Sequence, residues 1–383
     1  MKTMKFFSII ILIFPIFIII SAKQQMKILM VVSTFPKIHD ICILNQITGL
    51  IDRGHDVHIF SFRRGDCEYV QKNVIEYDLL KKTIFGRLPR NLNDYDIIIF
   101  QLGHKLIDIR KTHNYKGKIV ACLRGYDITG YLRENPHAYD KYFELCDLFL
   151  PVCESFKRIL QKAGCDERKI IVHHSSIDCS RFTFNPKKIN KNKIVNIISS
   201  GRFIEKKGFV YVIYAVSYLL KKYPNMRYTI IGDGPLRNKY RKLIKRLGVR
   251  DIITIKGWYK HEEYINILNN SHIFILSSVT AKNNDQEGIP NVLKEAMAIG
   301  IPVIATNHSG NQELIANKIS GFLVPERNSQ AISRAITFII ENPQLIEEVQ
   351  KKAVDRVHKE FELEKCNNEL ETILLNLLNF KNQ

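Results

Sequence analysis

The chain has 383 residues, 45% of them hydrophobic and 25% charged, which excludes a disordered or fibrous protein and allows two domains with large cores. Lysine and arginine outnumber aspartate and glutamate by 57 to 38, a balance that suits nucleic acid, an anionic membrane surface or phosphorylated small molecules as partners. A compositional bias of the genome explains the same excess equally well. Because the sequence has no RNA-binding aromatic motif, helix-turn-helix or zinc-finger spacing, we expect no nucleic acid partner.

An apolar run at residues 6–20 follows two lysines near the N-terminus. Its length is at the lower limit for a membrane span, and Ile20 stands where signal-peptide cleavage prefers a small residue. For the segment 1–25 we therefore favour an artefact of the start site, with translation beginning at Met26. A membrane anchor is the second interpretation and a signal peptide the third.

The eight cysteines form no C-x-x-C pair, and several lie in apolar segments. This pattern predicts buried, reduced thiols in a reducing compartment. No histidine cluster lies near two of the cysteines, so we expect no metal site.

From residue 26 onward, short apolar runs alternate with amphipathic stretches. In the first half the pattern predicts strands at 27–33, 55–62, 95–101, 118–125 and 145–153, a final strand and loop at 169–178, and helices at 41–54 and 154–165. A polar stretch rich in lysine and asparagine, 185–193, predicts a linker. After it, the pattern predicts a strand and loop at 194–203, strands at 227–234, 253–258, 273–278 and 302–306, helices at 209–224, 235–248 and 291–300, and a helical tail.

Alternating strands and helices indicate parallel sheets covered on both faces. The predicted fold class is α/β, with two Rossmann-like domains that face each other across a cleft. We expect an N-terminal domain at 26–185, a C-terminal domain at 186–365 and a C-terminal helix at 366–383. Ligands of such sheets bind at the carboxyl ends of the strands.

Two cations, Arg202 and Lys207, follow a predicted strand and flank the start of a helix. Backbone N–H groups and the helix dipole favour phosphate at such a place. A solvated basic loop is the alternative interpretation.

Three further strand-to-helix junctions supply candidate contacts. The candidate contact residues at these junctions are Gly232, Asp233, Gly257, Trp258, Ser309 and Gly310. Glycines allow a ligand to approach the backbone, but Asp233 is also a candidate helix cap. Trp258 suits either a base pocket or simple packing.

Two glutamates stand eight positions apart in "DQEGIPNVLKEAMAIG", residues 285–300. Glu287 precedes a helix start at Gly288, Ile289 and Pro290, and Glu295 lies inside that helix. A favourable helix dipole alone would explain Glu287 but not Glu295. Two carboxylates with free N–H groups between them suit a ligand with hydroxyls at both ends and phosphates in the middle, such as a nucleotide sugar.

In this order, the motifs resemble the retaining E-x7-E glycosyltransferases of family four, which have the two-domain GT-B fold. Among these, they are most similar to enzymes of colanic acid, exopolysaccharide and lipopolysaccharide biosynthesis. Other matching segments are "RGYDI" at 124–128 and "VHHSSIDCSRF" at 172–182. The resemblance covers Met26 to about residue 365.

The resemblance implies that the C-terminal domain binds a UDP- or GDP-sugar donor and the N-terminal domain an acceptor. Arg202 and Lys207 would hold the pyrophosphate, Glu295 the ribose and Glu287 the transferred hexose, while the Gly257–Trp258 loop borders the base. It implies no metal or other cofactor. The acceptor would be a polysaccharide or a polyprenyl-diphosphate-linked oligosaccharide, and the protein would lie in the cytoplasm, peripheral at the inner face of the cell membrane.

Candidate cleft residues of the N-terminal domain are Arg124, Asp127 and Asp40, and here the sequence departs from the family. Many relatives carry a histidine at the position of Arg124, which contacts the donor sugar in the family pattern. Arg124 is a candidate for binding sugar or phosphate, or for pairing with Asp127. Ser176 replaces a usual glycine, and Asp40 a glutamate.

Two alternative functions remain open. A nucleotide-sugar epimerase or a phosphorylase would use the same fold but needs acid, base or pyridoxal-binding residues that the sequence does not reveal. A non-catalytic scaffold of a polysaccharide assembly complex is the other, although the intact set of cations and glutamates argues against it.

Overall fold

The computed structural model of the protein describes residues 24–37, 40–65, 70–101 and 107–379. The apolar run at 6–20, and with it the choice between a start-site artefact, an anchor and a signal peptide, lies outside these ranges. Within them, no helix is both long and apolar enough to cross a membrane.

In the described ranges, the first half of the chain builds a six-stranded parallel sheet. Its strands are β1 (Lys27–Phe35), β2 (Asp56–Arg64), β3 (Thr83–Phe85), β4 (Ile97–Phe100), β5 (Lys118–Leu123) and β6 (Leu148–Pro151), in the spatial order β3-β2-β1-β4-β5-β6. The accompanying helices are α1 (Ile41–Asp52), α2 (Lys72–Glu76), α3 (Ile109–His113), α4 (Gly130–Glu134), α5 (Asp140–Leu145) and α6 (Glu154–Lys162). All residues of β4 and β6 are buried, as expected for strands covered on both faces.

The second half builds another sheet of six described parallel strands. These are β7 (Val195–Ser200), β8 (Met226–Ile231), β9 (Ile253–Lys256), β10 (Ile273–Leu276), β11 (Val303–Thr306) and β12 (Phe322–Val324), in the order β12-β11-β10-β7-β8-β9. The helices are α7 (Phe209–Leu219), α8 (Arg237–Arg246), α9 (His261–Asn269), α10 (Asn291–Ile299), α11 (Asn311–Leu314), α12 (Ser329–Glu341), α13 (Pro343–Glu360) and α14 (Leu363–Asn379). The predicted α/β fold with two Rossmann-like domains is confirmed.

The segment 169–178, predicted as a strand and a loop, forms no strand of its own. Ile170 forms a single bridge with Phe149, and the backbone N–H groups of Ile171 and His173 donate to the carbonyls of Phe149 and Pro151 in β6, each at 3.0 Å. From His173 onward the segment leaves β6 and bonds to other parts of the chain: His173 Nε2 lies 2.9 Å from the carbonyl oxygen of Cys366, and Asn45 donates to the carbonyl of Ser176 at 3.4 Å. A buried chain can satisfy its backbone in this way without joining a sheet.

The last helix returns to the first domain. Leu370 and Leu374 of α14 belong to the core cluster under the N-terminal sheet, and His55 Nε2 lies 2.9 Å from Glu371 Oε1. Between the domains, the backbone N–H of Ile177 donates to the carbonyl of Phe361 at 2.9 Å. Cysteines contribute to the same interior, since those in the described ranges are free thiols and all but Cys42 are buried.

Candidate active site

A cleft of about 1800 Å³ lies between the two domains, lined by residues of both. The carboxyl ends of strands from both sheets border this cleft, since Arg124 follows β5, Arg202 follows β7 and Trp258 follows β9. Drug-sized ligands occupy pockets of roughly 300 to 1000 Å³, so this cleft has room for two substrates. The domains are close at its floor, where a Cβ on Gly288 would lie 2.6 Å from Val152 Cγ2.

Glu287 lies in the cleft within a cluster of four charged side chains. Its Oε1 is 3.1 Å from Lys207 Nζ and 3.7 Å from Lys206 Nζ, while Lys206 also pairs with Asp285 at 2.9 Å. Burial would raise the pKa of Glu287, but the two lysines outweigh it and hold that pKa at about 2. The carboxylate is therefore ionised throughout the physiological range.

The pKa values of the two lysines shift in opposite directions. Burial lowers the pKa of Lys207, which Glu287 only partly offsets. Burial also opposes the charge of Lys206, yet Glu287 and Asp285 together raise its pKa. The sequence does not single out Lys206 and Asp285, because two adjacent lysines in a glycine-bounded loop do not reveal which carboxylate each of them meets in the fold.

A histidine holds the loop that carries Glu287. The backbone N–H of Glu287 donates to His308 Nε2 at 3.1 Å, and His308 Nδ1 lies 2.5 Å from Glu326 Oε1. Glu326 in turn accepts from the N–H of Thr280 at 3.0 Å. His308 and Glu326 belong to no motif that the sequence predicts, and their only signal is that His308 lies two residues after the end of β11.

Gly310 lets the loop that carries Glu287 pack closely against the loop that follows β11. A Cβ there would lie 2.7 Å from the carbonyl oxygen of Gly288. Gly232 has a comparable role at the other loop: its φ is 139°, and a Cβ would lie 2.0 Å from the carbonyl of Gly201, beside Arg202. Both glycines leave room for the close packing of loops beside the cleft, and neither lines the cleft itself.

Glu295 lies about one turn into α10, and its side chain lines the cleft wall. It is 7% exposed and makes no hydrogen bond or ion pair with any residue in the described ranges. Burial raises its pKa to about 7, against the opposing effect of Lys294 and Arg181. The neighbouring Lys294 is fully buried and donates to both the carbonyl and the hydroxyl of Ser175.

Other predicted contacts are distributed between the cleft and its surroundings. The lining includes Asp40, Arg124, Asp127, Arg202, Lys207, Trp258, Glu287, Gly288, Ile289, Pro290 and Glu295, but not Gly232, Asp233, Gly257, Ser309 or Gly310. Arg202 is exposed, and Trp258 is 43% exposed, so both side chains are accessible. The interpretation of Asp233 as a helix cap is wrong: α8 begins at Arg237, and Asp233 instead accepts from the N–H of Gly234 at 2.7 Å and pairs with Arg237.

Arg124 does not pair with Asp127 through its side chain. The Asp127 carboxylate accepts from the backbone N–H groups of Arg124, at 3.1 Å, and Gly125, at 2.8 Å. The guanidinium of Arg124 extends to two amide oxygens instead, with Nη2 2.9 Å from Gln46 Oε1 and 2.7 Å from Gln101 Oε1. Asp127 therefore shapes the turn, and Arg124 presents its charge to the cleft.

Two parallel-sheet domains with a charged cleft between the carboxyl ends of their strands define a protein of the GT-B class. HepE of Anabaena, solved with UDP-glucose, has the same architecture with a TM-score of 0.76 at 18% identity, over 92% of this chain and 100% of that one. At this identity the likeness establishes the fold alone.

Residues 181–356 match the family described as Glycosyl transferases group 1. WcaL of Escherichia coli K12, which is named as a putative glycosyltransferase of colanic acid biosynthesis, is 30% identical over 91% of this chain and 99% of its own length. The amylovoran biosynthesis glycosyltransferase AmsK of Erwinia amylovora is 28% identical over 88% of this chain and 96% of its own. The chain belongs to the group 1 glycosyltransferases and is a transferase enzyme.

Proposed function

We propose that the protein is a retaining glycosyltransferase that moves a hexose-type sugar from a UDP- or GDP-sugar to a polysaccharide or lipid-linked oligosaccharide. The observation that carries the proposal is the arrangement of Lys207, Glu287 and Glu295 on one wall of the cleft. Glu287 is already charged and paired, whereas Glu295 is buried without a described partner. The names of WcaL and AmsK support an exopolysaccharide acceptor.

In this proposal the donor lies along the segment 287–295. Its ribose hydroxyls donate to Glu295, and hydroxyls of the transferred sugar donate to Glu287. The diphosphate lies near Arg202, Lys206 and Lys207. These cations stabilise the negative charge that develops as the diphosphate leaves, and because they are held by the fold, they need no reorganisation during the reaction.

We infer a transfer on one face of the sugar. The bond between the anomeric carbon and the diphosphate oxygen breaks, and the acceptor hydroxyl oxygen forms a new bond to the same face of that carbon. The acceptor proton passes to the departing phosphate oxygen, so the step needs no protein nucleophile. Protein cations in place of a metal would neutralise the diphosphate, and transfer should therefore persist in the presence of EDTA.

Donor binding is the first test. Thermal shift with a panel of UDP- and GDP-sugars should identify a stabilising nucleotide, because a ligand that binds only the folded state raises the melting temperature. Transfer to a lipid-linked acceptor should then give a product with the anomeric configuration of the donor, measured by NMR. Stabilisation by no nucleotide would favour the scaffold alternative, and exchange of donor isotopes with water without acceptor would favour an epimerase.

A further inference from the structure

Arg124 is a cation in the cleft that amide groups hold but do not neutralise. Its Nε and Nη2 donate to Gln101 Oε1 at 3.3 and 2.7 Å, and Nη2 also donates to Gln46 Oε1 at 2.9 Å. Among the described residues, no carboxylate forms an ion pair with its guanidinium. Asp127 bonds to backbone N–H groups, and Asp40 pairs with Lys37 at 3.6 Å.

A charge withdrawn from water is costly unless an opposite charge compensates it. Amide oxygens satisfy the geometry of the guanidinium but leave its full positive charge. On the other side of the cleft the balance differs, because Lys206 and Lys207 are matched by Asp285 and Glu287. Among the described residues, Arg124 is thus a partly buried cation without an ion-pair partner.

The backbone of this residue abuts the wall of the cleft that carries Glu287. A Cβ on Gly288 would lie 3.5 Å from the carbonyl oxygen of Arg124, and a Cβ on Gly125 would lie 3.6 Å from Lys206 Nζ. Arg124 therefore adjoins the end of the site at which the proposed function places the transferred sugar, not the end with Trp258.

Resting on the proposed function, we propose that Arg124 binds the carboxylate of an acidic sugar, and that this sugar is the hexuronate unit of the nucleotide donor. With Nε and Nη2 bonded to Gln101 and Gln46, the Nη1 of the guanidinium keeps two N–H donors for a carboxylate, and the two amides fix the plane of the group in advance. A phosphate is the poorer candidate, because Lys207 and the exposed Arg202 already provide for the diphosphate across the cleft.

The test compares UDP-glucose with UDP-glucuronate, or GDP-mannose with GDP-mannuronate if GDP is the nucleotide that stabilises the protein. Isothermal titration of the full chain should show that the uronate donor binds about 10- to 100-fold more tightly, the range expected for hydrogen bonds to a charged group. Equal affinity for both members of the pair would overturn the inference and leave the proposed function intact. Failure of UDP, GDP and all their sugars to bind would overturn both.

Variants of Arg124 separate recognition from structure. Arg124→Gln should remove the preference for the uronate donor, and Arg124→Lys should retain part of it, since lysine keeps the charge but not the planar group that the two amides orient. Lys72→Gln is the matched control: it removes an exposed cation at the same cleft, already paired with Glu76 at 2.6 Å, and should leave the preference unchanged. If Arg124→Gln lowers only the melting temperature and keeps the preference, Arg124 is structural and the inference fails.

The carboxylate could instead belong to the acceptor. Protein saturated with the stabilising nucleotide should then bind methyl glucuronide in an Arg124-dependent manner, with the two donors indistinguishable. That result would overturn the assignment to the donor. Binding of the uronate donor that is sensitive to Arg124, without capture of methyl glucuronide, supports the proposal.

Discussion

Glu287 and Glu295 stand at two ends of one short segment, and the protein treats them in opposite ways. Glu287 has two lysines within 3.7 Å and a pKa of about 2, whereas burial raises the pKa of Glu295 to about 7. The first carboxylate is charged before any ligand arrives. The second reaches its charged form more readily once hydrogen-bond donors approach it, because such donors stabilise the carboxylate. The difference indicates that one end of the site is preorganised and the other is completed by the ligand.

The largest effect is expected at the paired end. Lys207→Ala should lower the turnover number by about 100- to 1000-fold, because it removes a preorganised cation from the leaving diphosphate. Steady-state transfer with the selected donor measures this. Lys282→Ala, which removes an exposed lysine on the same cleft, should stay within about twofold of the parent protein. Near-normal turnover of Lys207→Ala would contradict the assignment.

Glu287→Gln should reduce transfer by about 100-fold and lower the free energy of unfolding by roughly 3 kcal/mol, since Lys207 loses its ion-pair partner and Lys206 one of two. A carboxyl whose pKa is lower in the folded than in the unfolded protein stabilises the fold at pH values above its unfolded pKa. The loss of unfolding free energy in the variant should therefore be constant from about pH 6 to 8 and should shrink in acid. Urea denaturation at several pH values measures it. Glu262→Gln, which alters an exposed carboxylate of the cleft, is the control, and a Glu287 variant as stable as the parent would argue against a buried pair.

Glu295 should make nucleotide-sugar binding depend on pH. If ribose hydroxyls bond to the ionised carboxylate, a pKa of about 7 predicts a rise in affinity of about tenfold between about pH 6 and 8. Glu295→Gln should bind more weakly and abolish the rise, while Glu287, ionised throughout, cannot supply it. Titration calorimetry with a nucleotide sugar measures the effect. Lys294, whose pKa burial lowers to about 8, titrates nearby, so Lys294→Met serves as the control and should keep the rise.

The unliganded protein gives an independent measure of the same group. Because the pKa of Glu295 is higher in the folded than in the unfolded state, folding retains a proton and stability should fall as pH rises from about 4.5 to 7. Glu295→Gln should flatten this part of the stability profile. A parallel decline in both proteins would assign the proton to a different group.

The smallest effect is expected from the support of the Glu287 loop. His308→Ala removes the acceptor of the Glu287 N–H and should lower turnover by about tenfold through misplacement of the carboxylate. His272→Ala removes a similar bond, from the N–H of Asn196 to a ring nitrogen at 3.0 Å, but away from the cleft. The control should lose stability without loss of turnover in the folded fraction. Equal effects in the two variants would make His308 merely structural.

The sequence predicts the fold well where local pattern decides it. Buried parallel strands are continuous apolar runs, and their alternation with helices is visible without any structure. The edge strands β3 and β12 have three residues each, too few to show a pattern. At 169–178, predicted as a strand and a loop, the apolar start bonds to β6 only as far as His173, and partners in remote parts of the chain decide the conformation of the rest.

The candidate site shows the same division. Arg202, Lys207, Glu287 and Glu295 occur in short contiguous motifs and line one cleft, as predicted for the carboxyl ends of strands. Their supports depend on contacts between distant positions: His308 lies 21 residues from Glu287, and Gln46 lies 78 residues from Arg124. Sequence spacing does not reveal such contacts, because only tertiary packing brings those side chains together.

Because α14 packs on the first domain, that domain is built from two separate parts of the chain, one before and one after the second domain. Leu370 and Leu374 fill the core beneath α1, although they are encoded after the entire second domain. A truncated protein ending near residue 185 would therefore expose an apolar groove and should be insoluble unless α14 is supplied. Chimeras that exchange acceptor specificity between relatives should transplant two pieces of the gene, the N-terminal half and its terminal helix, as one cassette.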